Sequence, residues 1–253
     1  MKIIDLNCDM GEAFGGYAMP NDEKLMDYIS SANIACGFHA GDSAIMQQTV
    51  TLALKKGVAV GAHPGLPDLQ GFGRREMKIS PNEAYQFTLY QIGALSGFVK
   101  AAGSKLHHVK AHGALYNMAA KDTALAKAIV KAVFDFDPGL ILYALAGSKM
   151  ITEAEKYGIA TASEVFADRS YQDDGLLTPR SADYALITNE DDAVNQVLGF
   201  ALKQEVKSIS GNHIAVKAET VCLHGDGKHA VEFAKLIALR LKKEGIMIKA
   251  PAI

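Results

Sequence analysis

Residues 31–63 read SANIACGFHAGDSAIMQQTVTLALKKGVAVGAH, and this stretch holds one complete unit of the fold. A β-type run near 32–36 passes through a glycine-bounded loop to Asp42, which opens a helix near 42–55. Gly57 stops that helix, and a second β-type run follows near 58–62. Strand, helix and strand in this order form the unit of a parallel sheet. The same alternation continues in both directions. Strands are expected near 2–7, 107–111, 140–145, 160–166 and 219–223. Helices are expected near 22–30, 81–102, 119–133, 148–157, 190–204 and 228–244. Ser80-Pro81 with Glu83 reads as a helix start, and Gly103, Gly158 and Gly245 read as helix stops. Seven units of this kind fit an α/β barrel. Two connections, 64–80 and 167–185, are long enough to be functional loops over its mouth. Residues 206–217, with Ser210-Gly211-Asn212 at their centre, read as a hairpin before the last strand.

The 253 residues are 49% hydrophobic and 21% charged, which excludes disordered and disulfide-scaffold classes, and one barrel domain over 1–253 is the expectation. Basic and acidic residues number 26 and 28 and are scattered, so neither nucleic acid nor an anionic membrane is an expected partner. Cys8, Cys36 and Cys222 have no CxxC spacing, which suits a reducing compartment. The segment Met1-Lys2-Ile3-Ile4-Asp5 lacks the apolar core of a signal peptide, and no apolar run is long enough to span a bilayer. A cytoplasmic location is therefore expected.

Polar residues gather where the strands end, on the face where barrel enzymes build their sites. In the first strand a two-residue period puts Ile3, Asp5, Asn7 and Asp9 on one side, with Glu12 just beyond Gly11. The second strand runs into His39 and Asp42, whose helix start either caps itself or receives an anion. The third delivers His63, followed by Arg74 and Arg75 between glycines, a guanidinium pair suited to carboxylate or phosphate. The fourth is the most informative, because its alternation aligns His108, Lys110 and His112. A lysine inside a barrel mouth needs a neighbouring carboxylate, a bound anion or a proton to exchange; otherwise the strand is shorter and Lys110 lies at the rim. Glu164 closes the sixth strand, and Arg169 or Arg180 in the next loop could clamp an anion. His224 and Asp226 close the last strand. Neither a serine nucleophile elbow, an HExxH pair nor a phosphate loop is present, so water is the economical attacking group. The His/Asp set could also hold a divalent metal.

Taken together, Asp5-Leu6-Asn7-Cys8-Asp9-Met10-Gly11-Glu12, the run from Ser31 to Asp42, Gly61-Ala62-His63-Pro64-Gly65, the run from Val109 to Asn117 and His224-Gly225-Asp226 resemble the LamB/YcsF family, the A subunits of 5-oxoprolinase. Ala111 stands where family members often have Pro. The resemblance implies a seven-stranded β/α barrel like that of the glycoside hydrolase/deacetylase group. It also implies opening of 5-oxo-L-proline to L-glutamate with ATP as co-substrate, accompanied by Mg2+, in a complex with partner subunits B and C. Self-association into a homo-oligomer stays open. A phosphoryl group on the lactam carbonyl oxygen turns an unreactive amide into one that water can open. On residue chemistry, Asp9, Glu12, Lys110 and His112 are the candidate catalytic groups. His39, His63, Arg74, Glu164, Arg169, His224 and Asp226 are the candidate substrate-binding groups. A metal-dependent amide hydrolase or deacetylase, and a non-catalytic ligand-binding subunit, are the alternatives. Two expectations follow: Asp9, His39, His63, Lys110, His112, His224 and Asp226 share one cavity, and Lys110→Met abolishes turnover with little loss of fold.

Overall fold

The computed structural model describes residues 2–180, 182–224 and 229–252. Its elements run β1 (Ile3–Met10), α1 (Asp22–Leu25), β2 (Ser31–Ala35), α2 (Ser43–Lys56), β3 (Ala59–His63), α3 (Pro81–Ala101), β4 (His108–Lys110), α4 (Gly113–Lys121), α5 (Thr123–Phe136), β5 (Ile141–Leu145), α6 (Lys149–Tyr157), β6 (Thr161–Phe166), α7 (Glu190–Lys203), β7 (Glu205–Lys207), β8 (His213–Ala215), β9 (Thr220–Leu223), α8 (Ala230–Lys243) and β10 (Met247–Ile248). Strands β1 to β6 pair in sequence order, and β9 pairs with both β6 and β1, which closes a seven-stranded parallel barrel. The short β10 extends the β1 edge below β9. The antiparallel pair β7–β8 is the hairpin expected from residues 206–217.

Alternation along each strand separates two environments. Side chains such as Leu6, Cys8, Ile34, Val60, Val109, Leu142 and Val221 face outward and form the main apolar core under the helices. The inward side chains of β1, β2 and β4 are Asp5, Asn7, Ser31, Asn33, His108 and Lys110, all buried. Ile141, Tyr143 and Ala162 are a small apolar group of their own. Folding gains little from so many buried polar groups unless each finds a partner. Here they bond to one another across the barrel.

Helix signals in the sequence act as expected. Asp42 accepts from the Ala44 and Ile45 amides, so it is a cap. Ser80 and Glu83 form a capping box. Two expected helices differ. The helix expected over 119–133 is two helices, because Asp122 ends α4 and caps α5 through the Ala124 and Leu125 amides. The one expected over 22–30 stops at Leu25, and Ser30 instead donates its hydroxyl to Asp5 at 2.5 Å. The first strand runs to Met10 rather than near residue 7, which carries Asp9 into the mouth.

Candidate active site

One cavity of about 280 Å³ opens at the C-terminal ends of the barrel strands. Asp9, Glu12, His63, Arg74, Lys110, His112, Arg169 and His224 line it, so eight of the eleven candidates converge although they span most of the chain. A parallel barrel returns the chain to the same end after every unit, which makes this possible. His39 and Glu164 lie behind the wall, each fully buried. Asp226 lies outside the described residues.

Lys110 is 3% exposed, which excludes a rim position. Its ammonium lies 2.9 Å from Asp9 Oδ1 and 2.8 Å from Glu164 Oε1, and it also contacts Asn7 Oδ1 and Cys222 Sγ. Burial works against the charge, but Asp9, Cys222 and Glu164 outweigh it and hold the lysine pKa well above its ordinary value. Lys110 is thus held in its charged form. Asn7 Nδ2 donates to the same Glu164 Oε1 at 2.9 Å, and the Tyr116 hydroxyl donates to Glu164 Oε2 at 2.7 Å.

The histidines are oriented by carbonyls. His63 Nδ1 donates to the Lys110 carbonyl at 2.7 Å, and His112 Nε2 donates to the Phe72 carbonyl at 2.8 Å. Phe72 has φ of 54°, a left-handed conformation that is costly for a bulky residue and here aims its carbonyl at the ring. Gly113, at φ 54°, allows the loop to approach: a side chain there would meet the Gly73 carbonyl oxygen at 2.5 Å. With their outer nitrogens committed as donors, His63 Nε2 and His112 Nδ1 face each other at 2.9 Å. Asp9 Oδ2 lies 3.3 Å from the first, and Glu12 Oε1 lies 3.5 Å from the second. His39 stacks on His112 at 3.7 Å between ring centroids and reaches Glu12 Oε1 at 3.2 Å.

Two ring lone pairs and two carboxylates at one point require a proton or a cation between them. Glu12, His39, His63 and His112 form a group able to hold a metal ion, their ligand atoms all within 4.8 Å of one another. The carbonyl partners of His63 and His112 are the outer contacts that fix metal-binding imidazoles. The site therefore fits a divalent metal.

The two carboxyls differ. Burial pushes Asp9 upward, but its contact with His63 and the charge of Lys110 hold it well below the usual range. Glu12 is raised by burial and by Asp9, with His112, His63 and Arg74 only partly offsetting this. His39 and His112 are both pushed well down by burial and by neighbouring imidazoles, so both rings are neutral.

The adjacent arginines expected to act as a pair are separated by the fold. Arg75 is committed to Asp68, while Arg74 lies over the Phe72 ring and faces the cavity. Arg169 lines the wall, but its Nε and Nη2 donate to the carbonyls of Ala185 and Thr178, so it pins its own loop. Asp22, Tyr116, Asn117, Thr178 and Arg180 also line the cavity and were not among the candidates in the catalytic and binding sets. Tyr116 and Asn117 follow His112 within α4, and that helical position was the available signal.

A closed seven-stranded barrel with a His/Glu group at its mouth defines a β/α-barrel protein of the deacetylase architecture. A polysaccharide deacetylase from Bacillus cereus shares that fold at TM-score 0.52 and 13% identity, over 100% of this chain and 93% of that one. The chain belongs to the LamB/YcsF family, which it matches over residues 4–252. It is 59% identical over 250 residues to a Geobacillus thermodenitrificans protein named as the A subunit of 5-oxoprolinase, covering 99% of this chain and 97% of that one. The crystal structure of a lactam utilization protein from Thermus thermophilus superposes at TM-score 0.94 with 46% identity, covering 98% of this chain and 100% of that one.

Proposed function

We propose that this chain is the lactam-opening subunit of an ATP-dependent 5-oxoprolinase, which converts 5-oxo-L-proline to L-glutamate together with subunits B and C. The observation that carries the reading is the convergence of His63, His112, Asp9 and Glu12 beside a permanently charged Lys110 in one small cavity. The names of its relatives support the substrate class. ATP, with Mg2+, is the co-substrate: its terminal phosphoryl group passes to the lactam carbonyl oxygen as ADP leaves, one water opens the ring to leave an acyl phosphate, and a second water releases phosphate and L-glutamate. A cytoplasmic location, where ATP is available, suits the three free cysteines.

A divalent metal would be held by His63 and His112 of the His/Glu group, with the Asp9 carboxylate alongside at 3.3 Å from His63 Nε2, and would supply Lewis-acid stabilisation of the carbonyl oxygen. Glu12, whose carboxyl is pushed up, takes the proton from water and returns it to the leaving nitrogen. Lys110 keeps Asp9 ionised from beneath and supplies positive potential toward the developing oxyanion. His39, stacked behind His112, holds Glu12 in place.

A metal-dependent amide hydrolase that needs no ATP is the second reading, favoured by the His/Glu group itself. Reconstitution from this chain with and without B and C, with metal content measured on the purified chain, separates the two. Glutamate release from 5-oxoproline only with all three subunits and ATP supports the first. Amide or acetyl hydrolysis by the isolated chain without ATP would replace it with the second. Ligand binding without turnover in the full assembly would leave a non-catalytic binding subunit.

A further inference from the structure

The cavity wall carries a second constellation that the hydrolytic roles leave unused. His224 Nδ1 lies 2.8 Å from both carboxylate oxygens of Asp168, and its Nε2 lies 3.2 Å from Arg180 Nη2. A guanidinium only donates, so His224 Nε2 accepts, and the Nδ1 proton goes to Asp168. The ring is therefore a spacer with a fixed tautomer, transmitting the position of a half-buried carboxylate to an arginine on the cavity wall. Phe166 stacks on His224 with ring centroids 6.0 Å apart and keeps its plane in place.

Two residues before Arg180, Thr178 lines the same wall at 2% exposure, and its hydroxyl is buried with no hydrogen-bond partner. A buried hydroxyl without a partner is costly unless a ligand completes it. Arg169 lies alongside. Burial, then the charge of Arg180, lowers its pKa to about 10. Two guanidinium groups near each other beside an unsatisfied hydroxyl form a place suited to an anion.

We propose that Arg180, oriented by Asp168 through His224, and the Thr178 hydroxyl bind the carboxylate of the lactam substrate and make this subunit select carboxylated lactams over plain ones. The proposal rests on the lactam reading above. It gives the cavity a polarity: the carboxylate at the arginine end, the amide carbonyl at the His63–His112 end. Arg180 and Thr178 are binding residues; His224 and Asp168 are positioning residues.

Calorimetry on the full chain with 5-oxoproline, 2-pyrrolidinone and inorganic phosphate, and steady-state kinetics on the enzyme assembled with its partners, test it. The wild type should bind 5-oxoproline well ahead of 2-pyrrolidinone. Arg180→Met, at an exposed position, should keep its thermal midpoint and raise KM for 5-oxoproline about 10- to 100-fold with little change in kcat. His224→Gln, which can still donate to Asp168 and accept from Arg180, should stay close to wild type, while His224→Leu should follow Arg180→Met. An unchanged KM in Arg180→Met with wild-type turnover would overturn the anchor and leave the lactam reading standing. Loss of phosphate binding with 5-oxoproline binding intact would overturn it too. A wild type that neither binds nor turns over 5-oxoproline, even when assembled, would overturn the lactam reading and the anchor with it.

Discussion

The floor and the mouth of this barrel are both polar and both buried, yet they are built on opposite principles. On the floor, Asp5 receives three hydroxyl donors, from Ser30 at 2.5 Å, Ser31 at 2.8 Å and Thr220 at 2.6 Å, and Ser31 is tied to the Tyr143 hydroxyl at 3.0 Å. Every acceptor there meets a donor. At the mouth, acceptors meet acceptors: His63 Nε2, His112 Nδ1, Asp9 Oδ2 and Glu12 Oε1 crowd one point. A facing pair also occurs near the floor, His107 Nδ1 and His108 Nδ1 at 3.0 Å, but among the described residues no carboxylate joins it, and His107 is half-exposed, so solvent reaches it. Burial of polar groups is therefore not what marks the site. The mark is a surplus of lone pairs that only a cation or a substrate can complete.

Lys110 joins the two halves, and its removal is the strongest way to break the contrast. Read from the sequence, Lys110 sits at a strand end and serves the site alone, which makes Lys110→Met harmless to the fold. The structure gives a reason to expect otherwise, because the ammonium compensates both Asp9 and Glu164 inside the barrel. Removing one partner of a buried ion pair leaves an uncompensated charge, which costs about 3–5 kcal/mol. Lys110→Met should lose turnover and also unfold at markedly lower denaturant concentration. A wild-type midpoint by chemical denaturation would show that the two carboxylates take up protons instead and that floor and mouth are independent.

Much of this architecture is legible in the sequence, since helix caps such as Asp42, Ser80 and Gly57 act locally and the strand–helix rhythm is a chain-order property. The convergence of Asp9, His63, Lys110 and His112 was legible for the same reason: strand ends in a parallel barrel share a face. What the sequence does not carry is depth. Nothing in the chain order distinguishes Glu164 and His39, which lie behind the wall, from Asp9 and Glu12, which line it. Nor does it show that Arg75 is captured by Asp68 while its neighbour Arg74 faces the cavity, since that depends on a loop path set by Phe72 and Gly73. The break at Asp122 was readable as an N-cap, but the apolar periodicity on both sides concealed it.

The floor can be stressed without touching a charge. Gly61 on β3 sits beside His108 on β4, whose ring lies across it: a Cβ at position 61 would fall 2.1 Å from His108 Nε2. Gly61→Ala should therefore displace the ring from Tyr143, on which it stacks at 4.0 Å, and from Asn33 Oδ1 at 2.8 Å. Overpacking of this kind costs about 1–3 kcal/mol. The thermal midpoint should fall, and because Asn33 also donates to Asp9 at 2.8 Å, kcat should fall with it. A lowered midpoint with unchanged kcat would show that the floor's network ends before it reaches the mouth.

The smallest effect belongs to Asp22, a cavity-lining carboxyl at the mouth that accepts from the Gly11 amide at 2.9 Å. Burial, with the nearby charge of Glu12, raises its pKa from 3.8 to about 6, the Gly11 hydrogen bond only partly opposing this. Between those two values the folded chain keeps a proton that the unfolded chain has released. The stability that this proton represents is present in full below 3.8 and is lost as pH rises through about 6. Asp22→Asn keeps an acceptor for the Gly11 amide and removes the titration. Relative to the variant, the wild type should lose roughly 1–2 kcal/mol between pH 4 and pH 7, the full linkage value being discounted for partial exposure. Denaturation midpoints of the two proteins across that range give the difference directly. Parallel curves would mean that Asp22 is as well solvated as a surface carboxylate, and that the shortage of donors at the mouth stops at Glu12.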